Sequence, residues 1–290
     1  MTLLSQTVNM FASRKALAAA LALVALLQLA SSPAHAQRRP RRPAAASPAS
    51  ATAAQDARVA EIAAEYLRGH YNFNPTAATA AGLHEYDAAL ESRSAEAVAA
   101  EAARLRSAVA ALGRVRESAL SPESRYDLLW LQSHARGRLL ELEDIGTWQR
   151  DPALYTRLVA SSFDNVLKRG YAPIQRRLDA LLSRARAVPR LLAEARANLQ
   201  NPPRVYTETA VGQAAGSIEF FSRAVPQMFE REGGGRLAAS RRAEFAAAVE
   251  GVVAALRLYS DWLQSDLLAR SNGDFRIGAE NFRKKLLTRR

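Results

Sequence analysis

Cysteine is absent from all 290 residues of the chain, which removes several kinds of chemistry at once. The chain can form no disulfide, offers no thiolate ligand to a metal ion, and has neither a cysteine nucleophile nor a cysteine that could carry a lipid. Hydrophobic packing must therefore supply the stability of the fold.

Lysine is scarce as well, so arginine carries nearly all of the positive charge in a chain whose formal net charge is +12. An affinity for anionic surfaces driven by arginine is one hypothesis, because long-range attraction follows net charge. Part of the excess lies in the stretches 38–42 and 289–290, however, and runs of charge are weak evidence for a motif. Solvated arginines are the simpler interpretation, and no specific nucleic-acid partner is expected.

Familiar catalytic signatures are missing too. Gly233–Gly235 lacks the Lys-Ser/Thr pair and the preceding strand of a phosphate-binding loop. The four histidines, His35, His70, His84 and His134, include no pair at the spacing that holds zinc on one helix face. The sequence therefore predicts neither a catalytic residue nor a metal site within this chain.

Residues 1–36 have the pattern of an export signal. Arg14 and Lys15 precede the apolar run Ala16–Ala30, and Ala34-His35-Ala36 has the small residues of a cleavage site. We expect cleavage after Ala36 and a periplasmic or secreted product. The apolar run falls short of the roughly 20 residues that span a bilayer, so no stable membrane anchor is expected.

Composition divides the remainder into a linker and a folded part. Residues 37–55 are rich in proline, alanine, serine and arginine without apolar periodicity, which predicts a disordered linker. Further along, apolar side chains recur with helical spacing, as at Val59, Ile62 and Tyr66. Residues 56–290 are therefore predicted to form a helical domain.

Proline and glycine mark the ends of many predicted helices. Proline fits the first turn of a helix and glycine its end, so their order predicts an all-α domain of about eight to ten helices joined by short loops. A helical repeat array would need a regular period, and none is evident. Pro189 is expected to kink or divide the helix that starts at Pro173, and Thr207 to cap the helix after Asn201-Pro202-Pro203. Other helices are predicted to start after Ser121 and Asp151 and to run from about Arg236 to Arg270.

The stretch Phe73–Asp87 combines helix punctuation with polar side chains that packing alone does not require. Asn74 and Pro75 suit the start of a helix, and Gly82 suits its left-handed end. The residues after the glycine are then expected on a loop rather than on a helix face. The polar cluster on that loop consists of His84, Tyr86 and Asp87.

Short stretches in a fixed order along residues 56–282 match those of a known family. They are Asn74–Thr79 with Gly82–His84 and Tyr86–Asp87, then Trp148–Tyr155, Ala185–Leu192, Asn198–Pro203 and Gly273–Gly278. Together they resemble the N-terminal half of the bacterial domain of unknown function 885 family. The resemblance implies a secreted or lipid-anchored helical protein of the zinc-metallopeptidase type.

The resemblance also implies chemistry that this chain does not carry. Family members have a His-Glu-x-x-Pro-Gly-His helix in their C-terminal half, where histidines hold zinc and the glutamate takes a proton from metal-bound water. Here His84-Glu85 is followed by Ala88 at the position of a second histidine. Zinc is therefore expected only in full-length family members, and this chain is expected to be inactive alone.

His84, Tyr86 and Asp87 are the candidate site residues of this half. On the functional interpretation they line one wall of a peptide-binding cleft whose floor comes from the C-terminal half. On the structural interpretation His84 and Asp87 hydrogen-bond the loop after the helix, and Tyr86 packs as an aromatic anchor. Both interpretations remain open at this point.

Three functions are compatible with these patterns. The chain is the N-terminal part of a zinc-peptidase-like protein, completed by a missing C-terminal half or a separate catalytic chain; or it is a free-standing helical interaction module; or it binds anionic surfaces through arginine. A helix that starts near Asn281 without a stop signal suggests a domain interrupted by truncation or gene splitting. Apolar surface would then be uncovered, so we expect self-association.

Overall fold

Helices make up the regular structure of this protein. The computed structural model describes residues 48–288, and no strand occurs in that range. The all-α prediction is confirmed. The α-helices are α1 (Pro48–Phe73), α2 (Pro75–Ala80), α3 (Ala95–Gly113), α4 (Pro122–Leu140), α5 (Thr147–Arg150), α6 (Ala153–Leu167), α7 (Ile174–Asn198), α8 (Arg204–Glu219), α9 (Val225–Arg231), α10 (Ala239–Trp262), α11 (Leu268–Arg270) and α12 (Ala279–Leu287).

Short turns of other pitch extend or connect these helices. A π-helical turn follows each of α4, α8 and α10, and α9 and α11 continue directly from two of them. The predicted long helix that ends at Arg270 is therefore present as α10, a π-helical turn and α11. The π-helical turns are Glu141–Ile145, Phe220–Ala224 and Leu263–Leu267, and the 3-10 turns are His84–Tyr86, Glu117–Ala119 and Gly234–Arg236.

Local sequence signals set several helix starts as predicted. Ser121 caps α4, because its hydroxyl accepts a hydrogen bond at 3.3 Å from the backbone N–H three residues later, and Pro122 opens the helix. α6 begins after Pro152, where the Asp151 carboxylate accepts from the N–H of Ala153 at 3.0 Å. Side-chain caps and neighbouring prolines thus mark both boundaries, and distant residues add to them, since the N–H of Ser121 donates to Asp56 at 3.1 Å and Tyr259 donates to the carbonyl of Pro152 at 2.9 Å.

The structure corrects two predicted helix features. The helix does not divide at Pro189, since α7 runs unbroken from Ile174 to Asn198, and the alternative of a kink there stays a prediction. Apolar side chains on both sides of the proline are fully buried, and their packing outweighs the cost of about 3 kcal/mol of an interior proline. Thr207 does not cap α8, because Pro203, with φ of −59°, already precedes the helix. Thr207 lies buried inside α8 instead.

The N-terminal boundary of α1 also differs from the prediction. The helix starts at Pro48, so residues 48–55 are helical where the end of a linker is expected. Alanine dominates this stretch and proline occupies the first turn, and both favour a helix. The predicted signal peptide, its cleavage after Ala36, and the rest of the linker at residues 37–47 lie outside the described residues.

Two apolar clusters pack the compact unit that starts at Thr52; the preceding unit, Met1–Ala51, is described only where it begins α1. The larger cluster joins α6 to α10 and includes edge-to-face contact of Phe163 with Phe221, whose centroids are 4.9 Å apart. The smaller cluster joins α1, α3 and α4. Burying apolar area at about 25 cal/mol per Å² makes both clusters major sources of stability.

A polar stripe along α7 holds a segment that has no regular structure of its own. Residues 89–94 connect the 3-10 turn after α2 to α3, and side chains of α7 bind their backbone. Because each bond joins a buried or half-buried polar group to a partner, the segment is fixed to the helix rather than left free. The contacts are from Arg190 to the carbonyls of Leu90 and Glu91 (3.3 and 3.0 Å), from the N–H of Arg93 to Glu194 (2.6 Å), and from Asn198 to the carbonyl of Arg93 (2.5 Å).

Candidate functional site

The loop that carries the candidate residues starts at a left-handed glycine. Gly82 has φ of 89°, as the sequence predicts, and the N–H of Leu83 donates to the carbonyl of Ala78 at 3.0 Å. These features close α2 and direct the chain into the 3-10 turn His84–Tyr86. The candidate residues therefore lie on a turn rather than on an α-helix face.

Asn74 precedes α2 as predicted but does not cap it through its side chain. Its amide donates to the carbonyl of His70 at 2.9 Å, and its Oδ1 accepts from Arg93 at 2.8 Å. Pro75 is the first residue of the helix, where its missing N–H needs no partner. Asn74 thus links the end of α1 to the segment held by α7.

His84 and Asp87 meet a third side chain that the sequence interpretation did not include. Nδ1 of His84 lies 3.1 Å from Oδ2 of Asp87, and the hydroxyl of Tyr171 donates to the same oxygen. The rings of His84 and Tyr171 stack with centroids 3.5 Å apart and planes 9° apart. Asp87 is only 7% exposed, so a buried carboxylate orients both rings.

Two polar positions of this group remain uncommitted. The second ring nitrogen of His84 has no hydrogen-bond partner among the described residues, and 31% of the side chain is exposed. Oδ1 of Asp87 is buried and has no partner within residues 48–288. Burial, followed by the bond to Asp87, raises the pKa of Tyr171 well above its ordinary value, so its hydroxyl remains a donor. A histidine fixed by a carboxylate at one nitrogen can offer the other to a ligand.

Tyr86 does not join the group formed by His84 and Asp87. Its ring packs against Tyr71 of α1, with centroids 6.3 Å apart, and its carbonyl accepts from Arg184 at 3.4 Å. The structure therefore brings together two of the three candidate residues and places the third in an aromatic pair beside them.

Arg184 of α7 fixes the site loop from the interior. Its guanidinium is fully buried and donates to the carbonyl of Ala89 at 2.9 Å, the carbonyl of Ser162 at 2.6 Å and the hydroxyl of Thr79 at 2.6 Å. Burial lowers the pKa of Arg184, and nearby carboxylates oppose that shift. One side chain thus joins α2, α6 and the loop that follows the candidate residues.

Tyr171 and Arg184 are the residues that sequence reasoning missed. Tyr171 follows Gly170 in the turn before α7, and no local pattern links it to a carboxylate in another loop. Arg184 has a clearer signal, because it lies seven residues from Arg177 on the apolar face of α7 that includes Leu181. Arg177 is buried too and binds the last carbonyls of α6 at 3.1 and 3.3 Å. Arginines within an apolar stripe indicate buried loop contacts.

A second group of histidines lies between α1 and α4. The hydroxyl of Tyr66 and Nδ1 of His134 are 2.6 Å apart, and His70 contacts His134 edge to face with centroids 5.2 Å apart. Trp130 stacks on His134 at 4.9 Å and remains 39% exposed. This group consists of aromatic rings packed together and extends from the interior to the surface.

The surroundings of this second group keep its histidines neutral. Burial, followed by the neighbouring His134 and Arg138, lowers the pKa of His70 to about 3. Burial and Arg138 lower the pKa of His134 to about 4. Neither imidazole has a carboxylate within ion-pair distance in the described part of the chain. Both therefore remain uncharged at pH 7.

Neither histidine group forms a metal site of known kind. Catalytic zinc takes three protein ligands and structural zinc takes four. Across residues 48–288, no three histidine, aspartate or glutamate side chains lie close enough together to hold a metal ion. The described residues do not fit the zinc that the family resemblance implies.

Comparison with known proteins places the chain in a family. The family model described as "Bacterial protein of unknown function (DUF885)" matches residues 75–289, well over half of the sequence. The chain belongs to the DUF885 family. The matched region of this DUF885 chain contains the site loop and the whole of α7. A search of the curated proteins found no match.

A solved structure shares the fold of this DUF885 chain. It comes from Shewanella oneidensis and is described as "a putative lipoprotein of unknown function". The sequences are 24% identical, the TM-score is 0.69, and the alignment covers 79% of this chain and 42% of the other. The chain therefore spans less than half of the length of that protein, and the likeness concerns the fold.

Proposed function

We propose that this chain is the N-terminal scaffold of a DUF885 protein, contributes one wall of a peptide-binding cleft, and is not catalytic alone. The carrying observation is the His84 group, in which buried Asp87 holds one imidazole nitrogen and leaves the other uncommitted. The chain covers 42% of its structural neighbour, which is consistent with a second half that completes such a cleft. Zinc and the catalytic groups would belong to that half or to a separate chain.

A peptide is the ligand that suits this geometry. A peptide backbone alternates N–H donors and carbonyl acceptors. Because the Asp87 carboxylate only accepts hydrogen bonds, Nδ1 of His84 carries a proton, and the other ring nitrogen, when unprotonated, can accept from a peptide N–H. Tyr86 packs on the buried Tyr71, and its own ring, which is partly exposed, offers apolar area to a ligand side chain. Arg184 keeps this wall rigid, which lowers the entropy that binding costs.

Export completes the proposal. The pattern of residues 1–36 supports it, and so does the description of the structural neighbour as a putative lipoprotein. No helix in residues 48–288 has both the length and the hydropathy needed to cross a bilayer. N-terminal sequencing of the protein from the producing cell tests export directly: a start at Gln37 is expected, and a retained Met1 in the mature pool contradicts it.

Peptide binding and hydrolysis test the cleft. A fluorescent peptide mixture is titrated with the full chain, with His84→Ala and with the exposed neighbour variant Glu85→Ala as a matched control. We expect His84→Ala to weaken binding about fivefold to tenfold, the effect of one hydrogen bond of about 1 kcal/mol, and Glu85→Ala to bind as the unmodified chain does. The same peptides incubated with added zinc should remain intact by mass spectrometry.

Two results would contradict the proposal. Equal binding by the unmodified chain and His84→Ala would remove His84 from the wall. Zinc-dependent cleavage that co-purifies with the full chain would show that the chain is catalytic alone. Peptide binding that stays the same when the loop is substituted, and also when the C-terminal half is added, would favour the free-standing interaction module.

Binding to anionic surfaces is the weaker alternative. Buried arginines such as Arg177 and Arg184 donate to carbonyls of the chain itself, and fewer guanidinium groups are left for an external partner. Retention on heparin that falls steeply with salt and survives removal of residues 37–55 would support the alternative. Elution near physiological salt would argue against it.

A further inference from the structure

A cavity of about 490 Å³ lies where stretches of the family pattern meet. Arg150 and Asp151 line it from Trp148–Tyr155, and Ile277 lines it from Gly273–Gly278. Val205 and Tyr206 line it as well, from the first turn of α8 directly after Asn198–Pro203. None of the residues that line this cavity belongs to the His84 group.

One wall of the cavity is the non-helical segment after α11. Arg150 donates to the carbonyl of Arg276 at 3.1 Å and to that of Asp274, and the hydroxyl of Tyr206 donates to the carbonyl of Phe275 at 3.4 Å. Consecutive carbonyls are thus held by two side chains that also line the cavity. The wall is anchored although it has no helical hydrogen bonds.

A glycine contact fixes the start of the same segment. The N–H of Gly273 donates to the carbonyl of Pro202 at 3.2 Å. A Cβ atom at Gly273 would lie 2.5 Å from the carbonyl oxygen of Asn201, which is closer than any side chain permits. Only glycine allows this approach, and the cavity wall therefore has one defined position.

Charges in the cavity leave one cation without a carboxylate. Asp151 pairs with Arg157 at 2.6 Å, and Glu141 pairs with Lys285 at 2.5 Å. Arg150 forms no ion pair in the part of the chain that the structure describes, and its bonded partners are carbonyls. Carbonyl dipoles satisfy hydrogen bonds without neutralising charge, and the cavity is left with a net charge of about +1.

Apolar side chains share the rest of the surface with the polar Thr147, Thr209 and Gln213. Val205 is half exposed at the mouth, whereas Ile277 is partly buried and Ile145 is buried. The volume lies within the range of small-ligand sites, which runs from about 300 to 1,000 Å³. A cation beside apolar surface suits a carboxylate that carries a short apolar group.

From these observations we infer that the cavity binds the C-terminal carboxylate of a peptide whose last side chain is apolar. Arg150 pairs with the carboxylate, and Val205 and Ile277 contact the side chain. This inference rests on the proposed function for the peptide nature of the ligand. A small free acid such as N-acetyl-leucine has the same chemistry, and the experiment separates the two.

Calorimetric titration of the full chain tests the inference. The ligands are an acetylated tripeptide that ends in leucine, the same tripeptide with a C-terminal amide, and N-acetyl-leucine. The variants are Val205→Asp, which brings a negative charge to the cavity mouth, Arg150→Gln, and Arg223→Gln as an exposed control outside the cavity. We expect the free acid to bind at least about tenfold more tightly than the amide, and Val205→Asp and Arg150→Gln to remove this preference.

Thermal unfolding of each variant accompanies the titration, because Arg150→Gln also loosens the wall, whereas Val205→Asp changes an exposed side chain. Equal binding of acid and amide, no binding of either, or full preference in a folded Val205→Asp overturns the inference. Peptide binding that depends on His84 without a preference for the acid overturns it and leaves the proposed function intact. Binding of N-acetyl-leucine through Arg150 without any peptide binding also overturns the inference, because it assigns the cavity to a small free acid, and it contradicts the proposed function.

Discussion

His84 on the one hand, and His70 and His134 on the other, belong to the same domain but face charges of opposite sign. His84 bonds to the buried carboxylate of Asp87, whereas Arg138 stands among the groups that lower the pKa of both other histidines. A carboxylate partner orients an imidazole and leaves a nitrogen for a ligand, while arginine neighbours and burial keep an imidazole neutral and packed. Residue type alone therefore does not distinguish a site from a core.

The largest effect on the difference between the two histidine groups is expected when the side chain that supports the His84 loop is removed. Arg184→Leu leaves three carbonyls and the Thr79 hydroxyl without this donor, and removes a cation from the neighbourhood of Asp87 and Glu91. We expect a loss of about 3–5 kcal/mol in the free energy of unfolding, measured by urea denaturation. Arg223→Leu, at an exposed ion pair, is the control and should cost under about 1 kcal/mol. Equal losses would mean that Arg184 does not hold the loop.

Acid should destabilise the fold through His70 and His134. The pKa values of His70 and His134 are about 3 and 4 in the folded chain, below the ordinary value of 6.5. Below pH 6.5 these histidines bind protons in the unfolded state but not in the folded state. Their contribution to the free energy of unfolding is therefore fully present above pH 6.5 and is lost as the pH falls. Each histidine contributes up to about 1.4 kcal/mol per pH unit. Denaturation midpoints between pH 7 and 4.5 should show this slope.

Substitution of single histidines sharpens the acid experiment. His134→Phe should flatten the decline in stability below pH 6.5, because it removes one of the groups that resist protonation. A decline that persists in the His70→Phe/His134→Phe double variant would assign it to other groups.

The hydroxyl of Tyr66 offers a smaller test. Tyr66→Phe removes the 2.6 Å hydrogen bond to His134 and leaves the ring in its packing position. We expect the free energy of unfolding, measured by chemical denaturation at pH 7, to fall by about 1 kcal/mol, the net value of a partly buried hydrogen bond.

In the other group, Tyr171→Phe should alter peptide binding more than stability. If Tyr171→Phe changed only stability and Tyr66→Phe changed peptide binding, the second group rather than the His84 group would be the ligand site.

The smallest effect concerns the surface end of the second group. Four large apolar side chains are exposed here, namely Leu129 and Trp130 on α4 and Phe282 and Leu287 on α12. The two helices pack against each other. Such apolar area favours association, so we expect the protein to form oligomers with rising concentration. Trp130→Gln should shift sedimentation toward the monomer without unfolding the chain. A monodisperse monomer at high concentration would contradict the expectation.

Local signals predicted much of the fold, and long-range contacts account for what they missed. The cap at Ser121 and the left-handed Gly82 depend on a few neighbouring residues, and both are as predicted. The continuity of α7 through Pro189 depends on packing against other helices, which no local pattern reveals. At the site, His84 and Asp87 lie three residues apart, but Tyr171 reaches Asp87 from 84 residues further along the chain.

Sequence distance also has a consequence for the order of assembly. Arg184 bonds to Thr79 across 105 residues, and Asn198 bonds to Arg93 across another 105. During synthesis, the site loop thus leaves the ribosome long before the helix that fixes it. Loop closure over such distances is slow compared with helix formation, so the wall that carries His84 is expected to take shape only after α7 has emerged.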